Sequence, residues 1–476
     1  MRVNTGAGAG RPGGSIEARS FDYVPLDERH GQPKQVFYMW FGINATIFSL
    51  VTGFIGISLG LSFWWTLLAI LVGNVLGALF MAFHAAQGPR LGLPQMIQSR
   101  AQFGYYGAIL PLAVTWIMYV VFLAIGIVLA GQGFQAVFGW SLNGWMIIVT
   151  IPMLLLAIYG YDFINRYQKY QTWLFIVVFL GLTVYIFVHG VPNGGLSAGK
   201  LRGGPFLLTL SVVASYQITF APYVSDYSRY LPPSAAKKVF WRIYLATIIS
   251  CVWLMALGAA IGALAPISPS MLLAIKYLGG PIGGALAIIM AIGVLAPNSA
   301  NVYGGMMSTL SVVNNVSGKV RSTQRLRITV CIIIAVLGVL AATAGAGAFM
   351  TNLENYLTVI LYILIPWSVI NLLDYYVLRH GNYRTADFYE KNGSFGAINY
   401  KAMAVYLIAF AIEVPFMNTT IYEGPIAKAL DGGDIAWIVG AVVTVPLYLL
   451  VMHGARASPT AGKARKKAVP EVGPRG

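Results

Sequence analysis

The chain has 476 residues, of which 58% are hydrophobic and only 10% charged, where an ordinary soluble protein carries about 25% charged residues. Too few polar side chains exist to cover water-facing domains of the usual ~150 residues. A soluble globular protein is excluded, and a lipid bilayer must do the covering. The net charge of +16 does not mark a nucleic-acid partner, because the basic residues stand in short clusters between apolar runs rather than in one patch.

Residues 1–35 form a Gly-rich, polar tail that lacks the apolar stretch and small-residue site of a cleavable signal. They read as a retained, disordered, cytoplasmic segment. Twelve apolar runs follow, near 36–58, 63–86, 107–133, 144–161, 171–189, 206–230, 241–265, 281–312, 328–346, 355–378, 401–417 and 435–453, before a basic tail at 454–476. Each run is close to the ~20 residues that cross ~30 Å of hydrocarbon at 1.5 Å per residue. Their hydrophobicity is continuous rather than alternating, which predicts helices that satisfy their own backbone instead of a barrel. Cys251 and Cys331 both lie inside apolar runs, so a disulfide framework or thiolate metal site has no support.

With the amino terminus in the cytoplasm and the sides alternating, only Lys200, Arg202, Lys276 and Lys428 of the 31 Lys and Arg fall outside. Adding or removing one helix would largely erase that bias. It therefore supports twelve spans, numbered 1 to 12 here, in the plasma membrane with both termini cytoplasmic.

Function is sought where apolar helices hold residues that helices dislike. Span 1 contains Gly42-Ile43-Asn44-Ala45-Thr46, and span 6 contains Ser215-Tyr216-Gln217-Ile218-Thr219-Phe220-Ala221-Pro222. Small residues in membrane helices commonly serve packing alone. Paired interruptions five helices apart point further, to an inverted-repeat transporter, because five is odd and the second repeat enters from the opposite side. The expected fold is an all-α polytopic membrane protein of twelve transmembrane helices. It comprises a five-plus-five inverted repeat, 36–189 and 206–378, with discontinuous helices 1 and 6, plus two additional helices over 401–453. The five histidines, at 30, 84, 189, 380 and 453, are scattered, so no enzyme constellation is expected. Charged pore rings of a channel do not appear either.

Three segments carry a family resemblance. They are Asp22-Tyr23-Val24-Pro25 with Glu28-Arg29-His30-Gly31, Gly92-Leu93-Pro94 through Ser99-Arg100-Ala101-Gln102-Phe103-Gly104, and Ala221-Pro222-Tyr223-Val224-Ser225-Asp226-Tyr227-Ser228-Arg229-Tyr230. They resemble the nucleobase:cation symporters, the group of cytosine/purine, uracil, thiamine, allantoin and hydantoin permeases. The resemblance implies cation-coupled uptake of a nucleobase by alternating access around a midplane site, with no cofactor. Related rings such as allantoin, hydantoin, uracil or thiamine remain open, as does an amino acid carried by the same architecture.

A neutral nitrogenous ring needs aromatic faces to stack on and amides to meet its edge. On span 3, Trp116, Tyr119, Phe122 and Gly126 recur every three or four residues and share a helix face, which also suits a packing stripe. On span 6, Gln217 stands where relatives carry a stacking aromatic, with Thr219 and Phe220 beside it and Asn44 at the span 1 interruption. On span 8, Pro297-Asn298-Ser299-Ala300-Asn301-Val302-Tyr303-Gly304-Gly305 interrupts an apolar run. Asn301 resembles the substrate-binding asparagine of the cytosine and purine permeases, and Asn298 joins it as a substrate candidate. By the same resemblance, a sodium site would use Gly42 and Ala45 with Asn298 and Ser299, although the expected hydroxyl pair is incomplete. Sodium and proton coupling both stay open. Titratable groups are few: Asp226 near Arg229, His84, and Glu413, which is placed near the outer end of span 11 where it can snorkel to water. The sequence gives no oligomeric state.

Overall fold

The computed structural model describes residues 23–159, 161–189, 199–264, 275, 282–317, 323–391 and 393–452. Most of the predicted amino-terminal tail and all of the carboxy-terminal one lie outside them. The longer helices, in chain order, are α1 Pro33–Asn44, α2 Ile47–Ser58, α3 Phe63–Leu91, α4 Ile109–Phe138, α5 Leu142–Tyr159, α6 Tyr161–His189, α7 Gly203–Ile218, α8 Val224–Ser228, α9 Ala236–Leu264, α10 Gly283–Gly293, α11 Leu295–Ser317, α12 Gln324–Gly345, α13 Phe349–Leu372, α14 Tyr400–Glu413 and α15 Ala436–Val451. Among the described residues the only β pairing is an isolated bridge between Asn418 and Glu423.

Every predicted apolar run coincides with one of these helices or with a broken pair. Seven helical stretches are long and apolar enough to cross a membrane, one of them Gln324–Leu378, which contains both α12 and α13. A further span is the pair α1 and α2, bent by 55°. Helices α7 and α15 are apolar but shorter.

Both predicted discontinuities are present, and local chemistry explains them. Helix α1 ends where the Ala45 N–H turns back to Phe41 and Gly42, and Thr46 is extended at φ −137°, ψ 167°. The Asn44 carbonyl, freed from the helix ladder, accepts the Ser49 hydroxyl at 2.6 Å and the Thr46 N–H at 2.8 Å. Polar side chains thus satisfy backbone that no water could reach. Helix α7 stops at Ile218 and the chain turns through 219–223 before α8. Pro222 lies in that turn and has no N–H to continue a helix.

Span 8 departs from expectation. Its interruption lies at Val294, and α11 runs without a break from Leu295 to Ser317. Pro297 occupies the first turn of α11, where a missing N–H costs the helix nothing. The polar stretch 297–305 that interrupts the apolar run is therefore helical.

Packing sorts the spans into two groups. Helices α1, α2, α3, α7 and α9 pack together, while α4 packs with α5, α10, α11 and α12. The first group joins span 1 to span 6 and span 2 to span 7; the second joins span 3 to span 8 and span 4 to span 9. This is the pairing an inverted repeat requires. Small residues allow the close approaches: an added Cβ at Gly53 would overlap the Met255 backbone, and one at Gly258 the Leu50 backbone. Without a hydrophobic force between helices in lipid, such van der Waals contact is what holds them. Ile151, Leu155, Val177, Val184, Val336, Leu340, Val442 and Leu450 are exposed, as the lipid-facing sides of α5, α6, α12 and α15 should be.

Candidate functional site

The two groups meet where α7 breaks. There the rings of Tyr119, on α4, and Tyr223, in the turn before α8, lie 5.6 Å apart and tilted by 33°. They line a partly open cavity together with Arg100, Thr115, Asp226 and Ser308. Tyr119 reaches this position because Gly304 on α11 lacks a side chain; an added Cβ would sit 2.7 Å from its ring. The Asp226 carboxylate accepts the backbone N–H of Gln95 at 2.8 Å, which aims it from α8 toward the short helix Gln95–Gln98. The cavity therefore offers two aromatic faces, hydroxyls and a carboxylate, a set suited to a flat ring with N–H groups on its edge.

Aromatic rings continue from the cavity toward the α1–α2 break. Phe220 packs edge-on to Tyr223 at 5.9 Å and to Trp40 at 5.3 Å. Phe122 packs edge-on to Phe48 at 6.2 Å and Tyr356 at 5.4 Å. Two buried polar atoms face this region without a partner, Trp40 Nε1 and Asn44 Oδ1, while the Asn44 amide nitrogen donates to the Trp40 carbonyl at 3.0 Å. Asn44, Tyr119, Phe122 and Phe220 are thus drawn around the two breaks. Of the nine predicted substrate residues, Tyr119 alone lines the described cavity.

The remaining predicted residues are placed otherwise. Trp116 donates its indole N–H to Thr309 at 2.8 Å and pins α4 to α11. Gln217 points away from the cavity to α3, where its amide donates to Asn74 at 2.7 Å. Its amide nitrogen joins two helices, while its Oε1 is buried without a partner. Thr219 donates to the Tyr216 carbonyl at 2.7 Å and caps the broken α7. Asn298 is fully buried and donates to the Leu123 carbonyl at 3.0 Å, an approach possible because Gly126 opposite has no Cβ. Gly126 is thus seating for an amide, not part of an aromatic stripe. Asn301, half-buried, donates to Asn298 Oδ1 at 3.3 Å, so Asn298 orients Asn301 instead of meeting a ligand itself.

Three of the predicted sodium donors carry hydrogen bonds of their own. The Gly42 carbonyl accepts the Ala45 N–H at 3.2 Å, Ser299 donates to the Ala296 carbonyl at 2.7 Å, and Asn298 is committed to α4. Between span 1 and span 8 the side chain of Gln171 on α6 donates to the Gly293 carbonyl, while its neighbour Thr172 fills the space against Gly42. A carbonyl that accepts one N–H keeps a second lone pair, and a hydroxyl that donates keeps the lone pairs of its oxygen.

A polar network escaped the sequence reading, although His84 stood among its titratable candidates. His84 is buried in α3, with its ring stacked on Trp367 at 4.8 Å and 6°. One of its ring nitrogens meets Ser368 at 2.8 Å and the other Gln95 at 3.0 Å. Gln95 also accepts the Ser225 hydroxyl at 2.5 Å and donates to Gln87. From Gln87 the bonds run through Asn371 and Gln102 to Asp374. Tyr383, Tyr448 and Arg379 meet Asp374 in turn, at the π-helical turn Leu373–Leu378 that ends span 10. The network ties α3, α8 and α13 beneath the cavity. A signal for it existed in Ser368, Asn371 and Asp374, three apart on one helix face, and in Gln95, Ser99 and Gln102, but only folding shows that the two rows meet.

Comparisons agree with this geometry. Residues 23–440 match the family described as permeases for cytosine/purines, uracil, thiamine and allantoin. The chain is 40% identical to YxlA of Bacillus subtilis (strain 168), a protein provisionally named a purine-cytosine permease, over 92% of this chain and 96% of YxlA. It is 26% identical to the purine-cytosine permease FcyB of Emericella nidulans, over 91% of this chain and 88% of FcyB. Among solved structures, inward-facing Mhp1 superposes with a TM-score of 0.75 at 17% identity, covering 96% of this chain and 98% of Mhp1. Mhp1 in a closed conformation with bromovinylhydantoin bound, described as a nucleobase-cation-symport-1 family transporter, gives 0.74 at 16% identity, covering 95% of this chain and 99% of Mhp1. The fold is shared with these transporters, and the chain belongs to the family of permeases for cytosine/purines, uracil, thiamine and allantoin.

Proposed function

We propose that the protein takes up a purine or cytosine by alternating access, driven by a cation gradient. The observation that carries this reading is the cavity at the α7 break, where Tyr119 and Tyr223 offer faces to a flat ring and Asp226 accepts from N–H groups at its edge. The names of its relatives support the same substrate class. A proton is the favoured coupling ion, because span 8 carries Asn298 and Ser299 where a sodium site of this kind would use a pair of hydroxyls. An amino-acid substrate is less favoured, since its carboxylate would need free N–H groups at the span 1 break. There the Ala45 and Thr46 N–H groups bond back within the chain.

Proteoliposomes should accumulate cytosine, adenine or hypoxanthine under an inward proton gradient. Accumulation under a sodium gradient alone would overturn the coupling ion; failure with every base under both gradients would overturn the substrate class.

The membrane is the plasma membrane, with both termini and the basic loops in the cytoplasm. The cavity, beside Arg100, then opens inward. A cysteine introduced at position 320 should react with impermeant reagent from the cytoplasmic side and one at position 200 from outside. Labelling of both from one side would refute this orientation.

A further inference from the structure

Glu413 ends α14, a helix outside the two packed groups, and it does not snorkel to water. Its side chain is fully buried, and neither carboxylate oxygen has a hydrogen-bond partner. Helix α15 is closed over it: Gly440 stands directly opposite, and an added Cβ there would overlap the carboxyl group. The facing titratable groups supply no positive charge. Asp434 at the start of α15 lies within electrostatic reach of Glu413, as does Tyr406 two turns earlier on α14. Glu423, Lys428 and Asp431 on the connecting linker are exposed, and Glu354 on α13 stands about two turns from Tyr362. A buried carboxylate without a cation or donor, and with a second acidic group beside it, is stable only with a proton on one oxygen.

Asp434, the acidic group beside Glu413, bonds to α13, to α15 and to α7. Asp434 accepts the Tyr362 hydroxyl from α13 and the N–H groups of Asn418 at 3.2 Å and Ala436 at 3.1 Å. Its carbonyl accepts the Ser211 hydroxyl from α7 at 2.9 Å, and Ser211 in turn receives the Trp437 indole N–H at 3.0 Å. Negative charge on Glu413 would repel Asp434 and loosen the joint among α7, α13 and α15. A proton would keep it closed.

We propose that Glu413 is a proton-binding site, filled from the face that carries the 414–435 linker, whose occupancy holds α13 and α15 together on α7. The step is reversible protonation: a proton from water adds to one Glu413 oxygen, and its loss returns the carboxylate. The assignment rests on the transport reading for its physiological meaning but not for its detection.

The test has two arms. Infrared spectra of the full-length protein in lipid should show a protonated-carboxyl C=O band at neutral pH. It should fade as pH is raised, be absent in Glu413→Gln and persist in Asp434→Asn. A wild-type protein without that band, or a Glu413→Gln variant that keeps it, overturns the proposal even if no base is ever transported. In the second arm, raising the pH equally on both sides of the membrane at a fixed proton gradient should slow wild-type base uptake. Glu413→Gln, which mimics the protonated form, should bind base as wild type does but change its uptake by less than about twofold over the same range. A variant profile that overlays the wild-type one also overturns the proposal. Failure of uptake in both proteins with the band intact would count against the transport reading alone.

Discussion

Tyr119→Ala is expected to weaken base binding by roughly 5- to 150-fold. Stacking of a base on an aromatic side chain contributes about 1 to 3 kcal/mol by alanine substitution, and each ~1.4 kcal/mol is a decade in affinity. Tyr119 lines the cavity and packs against Tyr223 at 5.6 Å, so its removal takes away one of the aromatic rings on the cavity wall. Tyr119→Phe keeps the face and should stay within about threefold of wild type if stacking dominates. Isothermal titration with cytosine and hypoxanthine on both variants checks this. If the alanine variant binds with unchanged affinity while its melting temperature falls, the ring only packs against Gly304, and the site lies nearer the Trp40–Asn44 pair.

The largest effect on folding is expected at Gly53. Here α2 and α9 meet backbone to backbone, and even a methyl group would enter the space of the Met255 carbonyl. Overpacking with a flexible neighbour costs about 1 to 3 kcal/mol. A backbone carbonyl held in its own helix cannot swing aside, so the helices must separate and lose their contacts along the whole interface. Gly53→Val should yield little or no monodisperse protein on detergent size exclusion, and Gly53→Ala should melt at least several degrees below wild type. The opposite contact, Gly258 against Leu50, predicts the same for Gly258→Val. Near-normal yield and melting of Gly53→Val would show that α2 and α9 do not pack as described.

The sequence by itself determined the bilayer as solvent, the helical class, the positions of the apolar runs and both discontinuities, because each follows from local composition. A run of about 20 apolar residues has one inexpensive conformation in lipid. Asn44-Ala45-Thr46 and Pro222 stand where the ladder breaks, and motif residues such as Tyr223 and Asp226 pointed to the family whatever their positions. Proline at 297 has another outcome: with α11 beginning at Leu295 its missing N–H belongs to the first turn. Only the tertiary structure decided which neighbour each inward side chain meets. Helical periodicity places Gln217 and Asn298 on a face but not against a partner. Asn74 claimed the first and the carbonyl of Leu123, uncovered by Gly126, the second. Glu413 shows the same division: one turn from a helix end it has the reach to find water, and it is denied water because Gly440 on a different helix brings α15 down over it. Burial is a property of the neighbour's surface, which no window of the chain's own sequence contains.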